Sequence, residues 1–146
     1  MSTIVISKQI DNFLEVNKKS PNNLKLAKKI ETGLPAMWIN HLKKVLELTN
    51  TQIADTLGIS GKTLERIRTN PASNKLNEVT SDRLYRILYI FFKTVSALEN
   101  TEEARIWLKT PQFGLGNEIP IDLLKTEAGT REIESLLGRI EHSVYS

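Results

Sequence analysis

The chain has 146 residues, 40% of them hydrophobic, which is material for one substantial core or two small ones and points to no extreme class. It holds no cysteine and two histidines, His41 and His142; disulfides and thiolate metal sites are excluded, any metal centre would rest on carboxylates, and a reducing cytoplasm fits. The formal net charge of +3 is unevenly placed, with 12 basic against 6 acidic side chains in residues 1–75 and 8 against 11 in residues 76–146, so the first half is the one suited to a polyanion.

In chain order, "TIVIS" reads as a short strand or a frayed arm, and Ile10, Phe13 and Leu14 stand at helical spacing before "NKKSPNN". This predicts a short helix on a loose arm over residues 1–25. Leu24, Ala27 and Ile30 predict a helix that Gly33 ends in a left-handed cap, and Pro35 suits the first turn of the next, whose face is Trp38, Leu42, Val45 and Leu46. Two short helices follow, Thr51 to Leu57 and Gly61 to about Asn70, and then the loop "PASNKLNEV". A long helix capped by Thr80 or Ser81 runs to about Leu98, with Leu84, Ile87, Leu88, Phe91, Val95 and Leu98 as its core stripe. Tyr85, Tyr89 and Phe92 coat a second face of it, available to the rest of the chain or to a second copy.

Further short helices are expected over Thr101 to Lys109, Pro120 to Lys125 and, after a turn at Gly129, from Thr130 as its cap to about His142, with Ile133, Leu136, Leu137 and Ile140 aligned in the last. No β-alternation or repeat appears, so the expected fold is all-α. No signal peptide is recognisable, and the most apolar segment, "LYRILYIFFKTVSAL", carries Arg86 and Lys93; no membrane contact is expected.

The segment "TQIADTLGISGKTLERIRTN" has what a helix-turn-helix requires. Ala54 is a small residue where the helices cross, Gly58 tolerates positive φ in the turn, and Ile53, Leu57, Ile59, Leu64 and Ile67 lock the pair inward. The second helix then presents Ser60, Gly61, Lys62, Thr63, Glu65, Arg66, Arg68 and Thr69 as the DNA-binding set. Lys62 and Arg66 are the candidates for base edges, and Ser60 is the N-cap and a phosphate ligand; Lys43, Lys44 and Arg68 suit backbone anchoring.

Beyond Asn100 the residues for catalysis are missing. There is no Ser/His/Asp set and no isolated carboxylate pair, and "GLG" lacks the pattern of a dinucleotide loop. Glu102 and Glu103 suit the positive end of a helix. No cofactor and no enzymatic activity are expected, and this half reads as a binding module.

The runs "ETGLP", "TLERIR", "SDRLYRI" and "ARIWLKTPQFGLGNEIPIDLLKTEAGTREIESLLGRIEHS" resemble the Xre/MbcA/ParS-type antitoxins over about Leu26 to Ser143. The resemblance implies an Xre-like DNA-binding and dimerisation domain at 26–100 and a toxin-binding domain at 101–146. It implies as partners a RES-domain toxin that consumes NAD or transfers ADP-ribose, encoded in the same operon, operator DNA bound for autorepression, and a second copy of the chain in a homodimer. Its location would be the cytoplasm, on the nucleoid when operator-bound. The family motif falls on Trp107, Leu108, Pro111, Gly114, Pro120, Leu123, Leu124, Gly129, Leu136, Leu137, Arg139 and Ile140, many of them scaffold.

Toxin contacts are expected at Trp107 and at the chain's exit, Arg139, Ile140, Glu141, His142, Ser143, Val144, Tyr145 and Ser146, where the apolar Val144 and Tyr145 have no chain left to bury them. Tyr85, Tyr89 and Phe92 are the candidate dimer surface, in competition with interdomain packing. Gly138, about 1 kcal/mol worse than alanine in a helix, implies close backbone approach by the protein's own core or by the toxin. The rival reading is a transcription factor whose C-terminal half only dimerises.

Overall fold

A computed structural model describes residues 8–14, 24–69 and 74–145, without the side chains of residues 144 and 145. The expectations for "TIVIS", for "NKKSPNN", for the start of the "PASNKLNEV" loop, and for Ser146 and the side chains of Val144 and Tyr145 all lie outside the described residues or atoms. Among the described residues there is no strand, only two isolated antiparallel bridges, Pro35 with Lys75 and Gln112 with Glu118. The fold is all-α. Its helices are α1 (Leu24–Thr32), α2 (Trp38–Leu46), α3 (Asn50–Leu57), α4 (Gly61–Thr69), α5 (Glu78–Leu98), α6 (Thr101–Leu108), a 3-10 turn (Phe113–Leu115), α7 (Pro120–Leu123) and α8 (Glu127–Tyr145). The chain divides into two compact units, Met1–Tyr85 and Arg86–Ser146, with the division inside α5.

In the first unit residues 8–14 are helical as expected, but they are not a loose arm. Ile10 and Leu14 are buried, and the Phe13 ring lies 5.4 Å from Trp38 and 5.7 Å, edge-on, from Tyr85. Burying two aliphatic side chains stabilises by about 1.5–3 kcal/mol each, which is reason enough for the segment to dock. Ile39, Leu42, Leu46, Ile53, Leu57 and Leu84 complete the interior.

The expected caps of α5 are replaced. Asn77 holds the helix start, its Oδ1 accepting the Thr80 N–H at 2.8 Å, while Thr80 and Ser81 lie buried inside the helix. Ser81 Oγ accepts the buried Leu34 N–H at 2.8 Å and donates to the Leu76 carbonyl at 3.3 Å. A buried N–H without an acceptor costs about 1–3 kcal/mol, so this hydroxyl serves the loop between α1 and α2 instead of a helix end. The deep stripe of α5 also differs from expectation. Ile90, Thr94 and Ala97 are buried, whereas Phe91, Val95 and Leu98 are half-buried.

In the second unit Ala104, Leu108, Ile121, Leu124, Ile133 and Leu137 form the interior. Asn100 caps α6 through the Glu103 N–H at 2.8 Å, and Glu102 pairs with Arg105 in the next turn. Pro120 opens α7 as expected. Helix α8 starts earlier than its spacing suggests: Thr126, not Thr130, accepts the Gly129 N–H at 3.0 Å. Gly129 is therefore helical and no turn; a Cβ there would stand 2.1 Å from the Leu123 carbonyl oxygen, so it permits α7 and α8 to meet.

Candidate functional site

Helix α3 begins in a reciprocal cap, the Gln52 N–H donating to Thr49 Oγ1 at 3.1 Å and the Thr49 N–H to Gln52 Oε1 at 2.8 Å. It ends at Gly58, φ 70°, whose N–H turns back onto the Ala54 and Asp55 carbonyls. The Ile59 N–H then donates to Ala54 O at 2.9 Å, and Ser60 caps α4, its Oγ accepting the Thr63 N–H at 3.0 Å and lying 2.9 Å from Thr63 Oγ1. Ala54 and Leu64 are buried and Ile67 is half-buried, so the inner faces are those expected.

At 3.6 residues per turn, that burial leaves Lys62, Glu65, Arg66 and Thr69 on one outward stripe of α4, all exposed. Ser60 and Gly61 are exposed at its N-terminus; Thr63 and Arg68 are half-buried. Thr69 is occupied locally, its hydroxyl donating to the Glu65 and Arg66 carbonyls at 2.8 and 2.9 Å. Among the described residues a Cβ at Gly61 would meet nothing within 4 Å, so none of them requires glycine there. Lys44 on α2 is exposed and Lys43 is half-buried.

One supporting residue escaped the sequence reading. Arg83 of α5 donates from Nη1 to the Leu57 carbonyl at 3.0 Å, placing a cation at the negative C-terminal end of α3. Its guanidinium fills the space beside the turn, so that a Cβ at Gly58 would fall 1.6 Å from Nη1. An arginine flanking the apolar stripe of α5 was the available signal. His41 lies on α2. Its Nδ1 is buried without a hydrogen-bond partner among the described residues, and burial holds its pKa below the ordinary value, against the pull of Asp11 and with the push of Lys44.

In the second unit Trp107 is half-buried, and its carbonyl accepts Gln112 Nε2 at 3.0 Å. Near the end of α8, Arg139 is exposed and its Nη1 donates to Ser135 Oγ at 3.0 Å. Ile140 and Glu141 are half-buried, His142 and Ser143 exposed, and the Ser143 hydroxyl donates to Ile140 O at 3.0 Å. The helix runs on through residues 144 and 145, so the expected tail is helical. Among the described residues a Cβ at Gly138 would meet nothing within 4 Å, so none of them requires a glycine there.

Tyr85, Tyr89 and Phe92 are half-buried. The Lys93 ammonium lies 5.8 Å from the Tyr89 ring centroid, and burial, with the nearby Glu134 carboxylate, pushes the Tyr89 phenol pKa up. Sequence reasoning also passed over Phe113, which is 91% exposed, and Ile106, 54% exposed.

Residues 25–89 match the family model of the antitoxin Xre-like helix-turn-helix domain, and residues 92–142 that of the antitoxin Xre/MbcA/ParS C-terminal toxin-binding domain. The chain belongs to the Xre/MbcA/ParS antitoxin family. A protein named Antitoxin Xre from Yersinia enterocolitica serotype O:8 / biotype 1B is 28% identical over 133 residues, covering 90% of this chain and 88% of that one. Another Antitoxin Xre, from Photorhabdus laumondii subsp. laumondii, is 26% identical over 118 residues, covering 80% and 78%. In the antitoxin described above, α1 to α4 and the start of α5 thus fall in the helix-turn-helix match. Helices α6 and α7, α8 as far as His142, Phe113 and Gly138 fall in the toxin-binding match. No helix among the described residues is long and apolar enough to cross a membrane.

Proposed function

We propose that the chain neutralises a RES-domain toxin encoded in the same operon by lodging its C-terminal segment in the toxin's NAD pocket, and that as a dimer it binds operator DNA and represses that operon. The observation that carries this reading is the union in one chain of a helix-turn-helix domain with an outward cationic stripe and a domain of the toxin-binding class. The first part needs a polyanion and the second a protein.

On the DNA side, Lys62 and Arg66 stand on the stripe that a recognition helix turns to the major groove, and Arg66 can grip a guanine bidentately. Ser60 and the bare Gly61 let a phosphate approach the helix N-terminus, where backbone N–H groups favour an anion. Glu65 and Thr69 stand on the same stripe, with Thr63 and Arg68 at its margins. The candidate dimer surface is the face of Tyr85, Tyr89 and Phe92, in competition with packing inside the chain such as that of Phe13 on Tyr85, and two recognition helices would meet half-sites about 34 Å, or a multiple, apart.

On the toxin side, inhibition is by occupation of space. A helix that continues to Tyr145 can carry Arg139 through Tyr145 as one rod into a cleft, with Trp107 contributing beside it. What the segment fills, NAD cannot enter.

The test is a binding and activity experiment with the product of the adjacent gene. The full chain is expected to form a stable complex with it and to stop its consumption of NAD, and the purified complex to retard promoter DNA. A chain that retards DNA but forms no complex would instead be a regulator whose C-terminal half only dimerises.

A further inference from the structure

Phe113 opens the 3-10 turn between α6 and α7 with 91% of its surface in solvent. Single exposed apolar residues are ordinary on protein surfaces, so exposure alone argues nothing. The frame that holds this one is different. The Gln112 N–H donates to Glu118 O at 3.0 Å and the Asn117 N–H returns to Gln112 O at 2.9 Å, closing the loop around the turn. The Gln112 side chain donates to the Trp107 and Thr110 carbonyls at 3.0 and 3.1 Å, which ties the same loop to the end of α6. Behind the turn a Cβ at Gly114 would stand 2.7 Å from Leu136 Cδ1, so the turn sits directly on α8. A loop fixed at both its ends and its back holds its one aromatic side chain away from the core.

We propose that Phe113 is a preorganised anchor for the toxin, inserting into an apolar pocket of that protein. This rests on the reading of the second unit as the toxin-binding one. The choice of the toxin as occupant follows from position. Phe113 lies within the matched toxin-binding domain, and its turn is seated at Leu136, three and four residues before Arg139 and Ile140 on α8. At 1.5 Å of rise per residue those positions are about 5 Å apart along the helix, so the turn extends the face already assigned to the toxin. A rigid aromatic side chain loses little freedom on binding, and such anchors carry a large share of interface energy.

The experiment uses the full chain with Phe113→Ala and Phe113→Leu, titrated against the RES-domain protein, with unfolding midpoint, operator affinity and sedimentation measured on the same samples. Phe113→Ala is expected to weaken toxin binding about ten-fold or more while midpoint, operator affinity and oligomeric state stay as they were. Phe113→Leu is expected to keep most of the affinity, because an apolar pocket still receives an apolar group. Unchanged toxin affinity in Phe113→Ala would overturn the anchor and leave the toxin-binding reading standing, as would a changed oligomeric state, which would assign the residue to a second copy. If the unaltered chain binds no toxin, both the anchor and the reading beneath it are overturned.

Discussion

Helix α4 and the turn that carries Phe113 present opposite kinds of side chain to solvent. Around the one buried leucine of α4, the exposed residues include Lys62, Glu65 and Arg66; in the second unit, Phe113 and Ile106 stand in solvent. A charged surface can wait in water at little cost and recognise a polyanion at a distance. An apolar one gains only when a partner covers it closely. Two ligands of different chemistry can therefore be served without one surface compromising the other, and each can be broken alone.

The sharpest break is Arg66→Ala with Lys62→Ala. With each base contact worth about 1–3 kcal/mol, operator affinity should fall about a hundred-fold or more, while inhibition of the toxin's NAD consumption is unchanged. Fluorescence anisotropy and the NAD assay check the two halves of that statement. Loss of both activities in a folded double variant would break the separation itself.

Gly58→Ala probes the support behind α4. The residue has φ 70°, and a Cβ would collide with the Arg83 guanidinium, so a loss of about 1–2 kcal/mol in denaturant unfolding is expected. Operator binding should weaken along with it.

Gly138→Ala sharpens the comparison from the other side. Among the described residues nothing within 4 Å opposes the added methyl group, so the free chain should gain up to about 1 kcal/mol from better helix propensity. If the toxin's backbone packs against α8 at this glycine, as proposed, toxin affinity should fall nonetheless. Thermal unfolding and titration against the toxin read the two opposite signs.

The smallest effect concerns His41 in the first unit. Its pKa in the folded chain lies below the value of 6.5 expected when unfolded, so below that pH the unfolded chain binds more protons than the folded one. The stability this contributes is complete above about pH 6.5 and is lost as pH falls through the folded value. Urea unfolding at about pH 7.5 and about pH 5.5 should show the decline, and His41→Gln should flatten it.

The helix-turn-helix was legible because its determinants are local. Ser60, Gly58, Ala54 and Leu64 act within one or two helical turns of one another, and periodicity reports that range. Helix ends were less legible where several residues could cap. Asn77 and Thr126 hold helices for which Ser81 or Thr80 and Thr130 were expected, since burial, invisible in a cap pattern, draws Ser81 away to Leu34.

Long-range partners were not legible at all: Arg83 reaches the Leu57 carbonyl from 26 residues away. The helix at residues 8–14 is too short for its period to reveal that Ile10 and Leu14 enter the core. A turn sequence, likewise, does not tell which way Phe113 faces. Of the twelve family-motif positions, Leu108, Pro120, Leu124 and Leu137 are buried and report the fold, while Pro111, Gly114 and Arg139 are exposed.

The most direct measurement is a co-crystal structure of the full chain with the RES-domain toxin, read at the NAD cleft. Continuous density for Ser143 to Ser146 within that cleft, overlapping the nicotinamide position, is the expected result. A complex with the cleft open and the end of α8 in solvent would contradict occlusion as the means of inhibition.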